Sequence, residues 1–216
     1  MKKITLSLVF VTAGLIPALA QISAQDAISY SMPMQIDSSD SYIMGTLIDR
    51  TNKMKYNFGG SFRGFSNWTN VLIYNSKTHE SKKVFTTSPV LVLPVSNFIY
   101  GPINYPGMQE YRSGIILKNH IVFLAKTDEI NKNGVIDEDD PVSFFISSKS
   151  GNNLTQISPK DVNVISWTLS KDGKTILVKL QKDKNGDNKF GGEDEQIYQL
   201  ELNDDISKIK IVPAII

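Results

Sequence analysis

Residues 183–194, DKNGDNKFGGED, gather side-chain oxygens at a regular spacing. Asp183, Asn185 and Asp187 occupy alternate positions, and Asp194 closes the stretch. Hard oxygens in this arrangement suit calcium, which takes about six to eight ligands from a twelve-residue loop at positions 1, 3, 5, 7, 9 and 12. Here those positions are Asp183, Asn185, Asp187, Lys189, Gly191 and Asp194. Position 7 binds through its backbone carbonyl, so the Lys189 side chain is irrelevant. Gly191 has no side chain, and a water must serve there. Asn188 stands at position 6, where a left-handed turn is needed, and Asn is the best substitute for Gly. Phe190 at position 8 is an apolar anchor for the loop. Asp194 is shorter than the Glu usual at position 12.

The same register recurs upstream in Glu129, Asn131, Asn133, Val135, Asp137 and Asp140, with Gly134 at position 6 and Ile136 at position 8. This set is weaker by ligand type. Glu129 is longer than Asp at position 1, and Asn133 removes a charge at position 5; Asp128 could replace Glu129 after a small shift of register. The competing reading is that both stretches are solvated hairpin tips rich in Asn, Gly and acid. A turn needs few such residues, and it does not need the oxygen pattern and the apolar position 8 twice. Calcium is therefore the expected cofactor at both loops, in a structural role.

The elements that must carry these loops read as strands. Residues 71–74 (VLIY) and 82–85 (KKVF) flank a polar turn, a hairpin pattern. Residues 90–93 and 115–117 are further short apolar runs. In residues 175–180, Ile176, Val178 and Leu180 share one face, and in 197–202 so do Tyr198, Leu200 and Leu202. No segment has a long helical period. The fold class is all-β, and both acidic stretches fall between strands, so the expectation is a calcium loop at a hairpin tip. There is also an internal repeat. Residues 120–128, an acidic loop and residues 142–146 are echoed by 174–182, an acidic loop and 197–202, with an offset of 54 residues from Glu129 to Asp183. A unit of this length built from short strands has the size of a propeller blade.

The segment between the loops resembles the TolB-type propeller repeat, which reads as a strand, a Gly followed by Leu-Thr, a loop, then Trp-Ser-Pro-Asp-Gly. Gly151, Leu154-Thr155, Trp167 and Ser170-Lys171-Asp172-Gly173 occupy the matching places. The departures are Lys171 where the family has Pro, and two extra residues between Trp167 and Ser170. The match covers about residues 121–202, with a fainter echo at 67–85. The resemblance implies blades of antiparallel strands, in a secreted bacterial protein whose calcium loops are insertions. It is nearly silent on activity. Asp172-Gly173 is expected to make a tight turn, and Trp167 to bury its ring between blades. At the usual blade length the chain holds about four blades at most, which leaves a small closed propeller, an incomplete one, or a β-sandwich of related hairpins.

The N-terminus reads as an export signal. Lys2 and Lys3 precede an apolar run that ends at Ala18-Leu19-Ala20, a small-x-small cleavage pattern. Residues 1–20 are expected to be a signal peptide, 21–40 a flexible leader, and 41–216 a single domain. The formal charge of +1 becomes −1 without the two lysines, so no bulk field recruits nucleic acid or anionic lipid. The chain has no cysteine. That excludes disulfides and a lipid-bearing cysteine; with the export signal, the expected location is the periplasm or the outside medium. No membrane span is expected after the signal.

Catalytic signatures are sparse. The chain has two histidines, His79 and His120, and neither has a neighbouring His or Cys for zinc. No nucleophile elbow, phosphate loop or dinucleotide fingerprint is present, and Gly59, Gly60 and Gly64 have the wrong spacing for either phosphate motif. The expectation is a binding or scaffold module, not an enzyme; the alternative is a carbohydrate-active enzyme or hydrolase using a carboxylate pair. Tyr100, Tyr105 and Tyr111, and Phe58, Phe62, Phe65 and Trp68, lie in irregular stretches. Exposed, they would suit a protein or carbohydrate partner; buried, they would fill the core beneath long loops.

Overall fold

Alternation of apolar and polar residues builds a sheet with one dry face, whereas an unbroken apolar strand must be covered on both sides. Both patterns occur in this chain, and together they set its architecture. The structure is a computed structural model and describes residues 28–48, 68–86, 90–96, 112–130, 132–134, 136–137, 139–190 and 195–214. The first sheet holds β1 (Ile28–Tyr30), β2 (Met34–Gln35), β3 (Ser41–Ile48), β4 (Asn70–Asn75) and β5 (Ser81–Lys83), with β1 and β2 both pairing to β3. The second holds β6 (Leu91–Val92), β7 (Val95–Ser96), β8 (Gly114–Ile116), β9 (His120–Lys126), β10 (Ser143–Ser148) and β11 (Thr155–Gln156). The third is a meander of β12 (Val162–Leu169), β13 (Thr175–Lys182), β14 (Glu195–Glu201) and β15 (Ile211–Pro213).

The pairings are antiparallel except between β7 and β8. Among the described residues the only helical turn is a 3₁₀ turn at Ile206–Lys208. The all-β expectation therefore holds, as three sheets that follow one another along the chain. None of them closes on itself.

The second sheet is the middle layer. Along β9, Ile121, Phe123 and Ala125 pack toward Ile43, Val71 and Ile73 of the first sheet. The alternate residues Val122 and Leu124 pack toward Trp167, Ile176 and Val178 of the third. On β10, Phe145 joins the first cluster while Phe144 and Ile146 join the second. This explains why β9 is buried along its whole length. In the third sheet, β13 instead alternates, with Ile176, Val178 and Leu180 fully buried and Leu177 exposed.

One tryptophan sits in each inter-sheet layer. Trp167 is 1% exposed, stands edge-on to Phe144 at 5.8 Å and donates its indole N–H to the Ser113 carbonyl at 3.1 Å. The burial expected of Trp167 is what the fold provides, since the ring lies between the second and third sheets. Trp68 is also in the core. Its backbone exchanges hydrogen bonds with Val92 at 2.8 and 2.7 Å, which ties the first sheet to the second. The indole lies against Gly45, where a Cβ would approach a ring carbon to 1.9 Å; glycine is needed there for space.

Paired structure begins earlier than the expected boundary at residue 41. β1 and β2 fall within residues 21–40, and Ile36 is only 1% exposed. The polar composition of that stretch hid an apolar residue that closes the first core. Residues 1–20, the glycines at 59, 60 and 64, and the aromatics Phe58, Phe62, Phe65, Tyr100, Tyr105 and Tyr111 lie outside the described residues.

Candidate metal centre

Both acidic loops close the same hairpin of neighbouring sheets, β9–β10 and β13–β14. They also share a rim. The Val142 N–H, at the exit of the first loop, donates to Asn163 Oδ1 at 2.9 Å, and Asn163 Nδ2 donates to Gln181 Oε1 at 3.3 Å, just before the second loop. The Val164 N–H returns to the Val142 carbonyl at 2.8 Å.

In the second loop the side chains fold back on their own backbone. Asp183 Oδ1 accepts from the Gly186 N–H at 2.8 Å and Oδ2 from the Asn188 N–H at 2.9 Å. Asn185 Oδ1 accepts from the Asp187 N–H at 3.0 Å, and Asp187 Oδ1 from the Lys189 N–H at 2.8 Å. Asn185 Nδ2 donates to Asp187 Oδ2 at 3.1 Å. Such bonds curl the chain so that the oxygens at positions 1, 3 and 5 lie on consecutive turns. They leave each oxygen a second lone pair. Gly186 and Asn188, at positions 4 and 6, have φ of +73° and +59°. The left-handed conformation anticipated for Asn188 is present. Gly191 and Asp194 lie outside the described residues.

The first loop repeats the backbone and departs in its side chains. Lys132 and Gly134, again positions 4 and 6, have φ of +59° and +85°. Ile136 is buried, as an anchor at position 8 should be. Asp140, at position 12, is 2% exposed, and backbone donors occupy both its oxygens: the Ile130 N–H on Oδ1 and the Asp137 N–H on Oδ2, each at 2.9 Å. Asp137 Oδ1 accepts from the Asp139 N–H at 3.0 Å and Oδ2 from Asn133 Nδ2 at 2.7 Å. Lys126 enters from β9 with 4% exposure, and its ammonium donates to the carbonyls of Asp137 at 2.9 Å and Asp140 at 2.7 Å. Glu129 Oε1 is buried without a hydrogen-bond partner. Asn131 and Val135 lie outside the described residues.

The two loops therefore differ as hosts. In the second, Asp183, Asn185 and Asp187 supply hard oxygens and the Lys189 carbonyl is in sequence to join them, a donor set that fits calcium. In the first, the orphaned Glu129 oxygen favours a cation, while the Lys126 ammonium and the engaged Asp140 oppose one. Among the described residues, no three His, Cys, Asp or Glu side chains are grouped to hold a metal ion. The second-loop set relies instead on an asparagine, a carbonyl and Asp194. Reasoning from sequence missed Lys126. Its signal was a charged residue ending an apolar strand at the loop mouth, where the second copy has Leu180 one period on.

The histidines lie in separate settings. His120 is 4% exposed, and its Nε2 donates to the Asn203 carbonyl at 2.8 Å, leaving Nδ1 buried without a partner. His79 has φ of +59° and meets the Tyr74 hydroxyl at 3.1 Å. The expected Asp172-Gly173 turn is present: Gly173 has φ of +71°, and Asp172 Oδ1 accepts from Ser170 Oγ at 2.5 Å and the Lys174 N–H at 3.1 Å. These bonds, the Ser170 hydroxyl first, hold the Asp172 carboxyl below its ordinary pKa of 3.8. Among the described residues no helix is long and apolar enough to cross a membrane. No family model, curated protein or solved structure matches the chain.

Proposed function

We propose that the chain is an exported, secreted or periplasmic β-protein of stacked propeller-type blades, stabilised by calcium and acting by binding rather than by catalysis. The observation that carries the calcium reading is the curl of residues 183–190. Oxygens at positions 1, 3 and 5 are ordered by backbone donors around two left-handed residues. Calcium would be held by Asp183, Asn185, Asp187 and the Lys189 carbonyl, with Asp194 completing the loop. The ion would neutralise the acidic tip and fix the β13–β14 hairpin; no chemical step is assigned to it.

The blade reading rests on chain order. β8 to β11 and β12 to β15 are successive meanders, each with its acidic loop between the second and third strands. They correspond to the two copies of the 54-residue repeat. Together with the TolB-type residues, this supports an incomplete propeller. Binding is favoured by the poverty of catalytic motifs, and the partner class is a protein or a carbohydrate.

The test is thermal unfolding of residues 21–216 with calcium, magnesium or chelator. At about a hundred times its dissociation constant, calcium should add about 2.7 kcal/mol. For a domain of this size that is a rise in melting temperature of roughly 5–10 °C. A shift equal in magnesium, or none at all, would overturn the calcium assignment.

A further inference from the structure

The two acidic loops share one spacing, offset by 54 residues, yet what stands at their mouths differs. The residue equivalent to Lys126, one 54-residue period on, is Leu180, which is fully buried. The residue equivalent to Asp137 is Gly191. The first copy thus carries an additional cation and an additional acid that the second lacks. Lys126 is 4% exposed, and a lysine is almost never that buried unless its charge is met. Here two of its three donors are met at 2.9 and 2.7 Å by the backbone carbonyls of Asp137 and Asp140.

We infer that the first acidic loop is closed by the Lys126 ammonium in the role a metal ion would play, so that the chain takes calcium at the second loop alone. Three observations converge on this. The position-12 carboxylate, Asp140, is turned inward as a staple and gives both oxygens to the N–H groups of Ile130 and Asp137. Asp137 is occupied by the Asp139 N–H and the Asn133 amide. A fixed ammonium bonded to carbonyls of the same loop opposes a dication entering it, because like charges with little water between them repel strongly. The remaining feature is Glu129 Oε1, buried and unbonded. A calcium ion at Glu129 is the rival explanation, and the experiment is chosen to separate the two. The statement about the second loop rests on the calcium reading above; the statement about Lys126 does not.

Amide hydrogen exchange of the wild-type chain separates the parts. In chelator, the Ile130 and Asp137 N–H groups should already be protected, and calcium should change their rates by less than about twofold. The Gly186 and Asn188 N–H groups, which Asp183 accepts, should slow when calcium is added. Fast exchange at Ile130 and Asp137 that calcium abolishes would overturn the inference and leave the second-loop reading standing. Unchanged rates at Gly186 and Asn188 would overturn the second-loop reading, and the chelator rates at Ile130 and Asp137 would still judge Lys126. Calorimetric titration of Asp187→Ala with calcium gives a second readout. No binding is expected, and one ion retained per chain would place calcium in the first loop and overturn the inference. Lys126→Met should raise the exchange rates of Ile130 and Asp137 in chelator; rates unchanged from wild type there would overturn the ammonium closure.

Discussion

A side chain at a loop tip acts through what it leaves unbonded, and one in the core acts through the space it fills. Asp187 belongs to the first kind. Asp187→Ala should abolish the rise in melting temperature on adding calcium, while Glu129→Ala should leave that rise intact; equal calcium responses in wild type and Asp187→Ala would count against the second-loop site. Gly45 belongs to the second kind. Its substitution by Ala drives a methyl group into the Trp68 ring, and overpacking of this sort costs about 1–3 kcal/mol, readable as a lower denaturant midpoint. At this scale the sequence was partly legible. Spacing identified the alternating oxygens of the 183–187 curl and the left-handed Asn188, because oxygens and turn residues act locally. Lys126 and Asp140 were not legible as a clamp, because their bonds depend on how the loop folds over the end of β9. Gly45 and Trp68 escaped for a similar reason: their contact joins residues far apart in the chain.

Hairpins carry the next level of information. β4, β5, β6, β8, β9, β10, β13 and β14 were readable from alternation or from short apolar runs, whereas the eight-residue β3 (Ser41–Ile48) was not read as a strand. What was not readable was the pairing of β1 and β2 to β3, since short strands in a polar stretch have little pattern of their own and depend on the partner strand. The turn joining β12 to β13 gives a prediction with a definite sign. Asp172 has its pKa lowered by the Ser170 hydroxyl and then by the Lys174 N–H. Asp205 is lowered likewise by the hydroxyl and N–H of Ser207. A carboxyl whose folded pKa is depressed contributes stability that is present above its unfolded pKa, and this is lost as pH falls through the folded value. Asp172→Asn keeps an acceptor and removes the charge. Its deficit against wild type should therefore be visible at neutral pH and fade as pH drops below 3.8, the ordinary value. Both residues are exposed to solvent, which keeps the effect small. Urea unfolding of the two proteins across that range measures it, and a deficit independent of pH would refute the charge argument.

The molecule as described is a stack whose middle layer has its central strands covered on both faces. β9 and the greater part of β10 are buried between neighbours, so the second sheet depends on the first at Ile121, Phe123 and Phe145 and on the third at Val122, Leu124 and Phe144. This dependence was hidden in the sequence. An apolar run such as β9 announces burial on both faces, but not which parts of the chain supply the covers. The third sheet also reaches back by polar straps, from Asn119 to Asp204 at 2.5 Å and from His120 to the Asn203 carbonyl. A stack of this kind should unfold as one unit, because peeling away an outer sheet exposes an apolar face of the middle one. A chain ending at residue 160 loses the third sheet and bares Leu124, Phe144 and Ile146 to water. It should lack a cooperative thermal transition and bind a hydrophobic dye. Trp167→Ala tests the same contact more gently. It removes the ring that spans the layer and should cost about 3–5 kcal/mol, with a single transition retained at lower temperature. Two separated transitions in that variant would mean that the third sheet unfolds independently, as a domain of its own rather than as one layer of the stack.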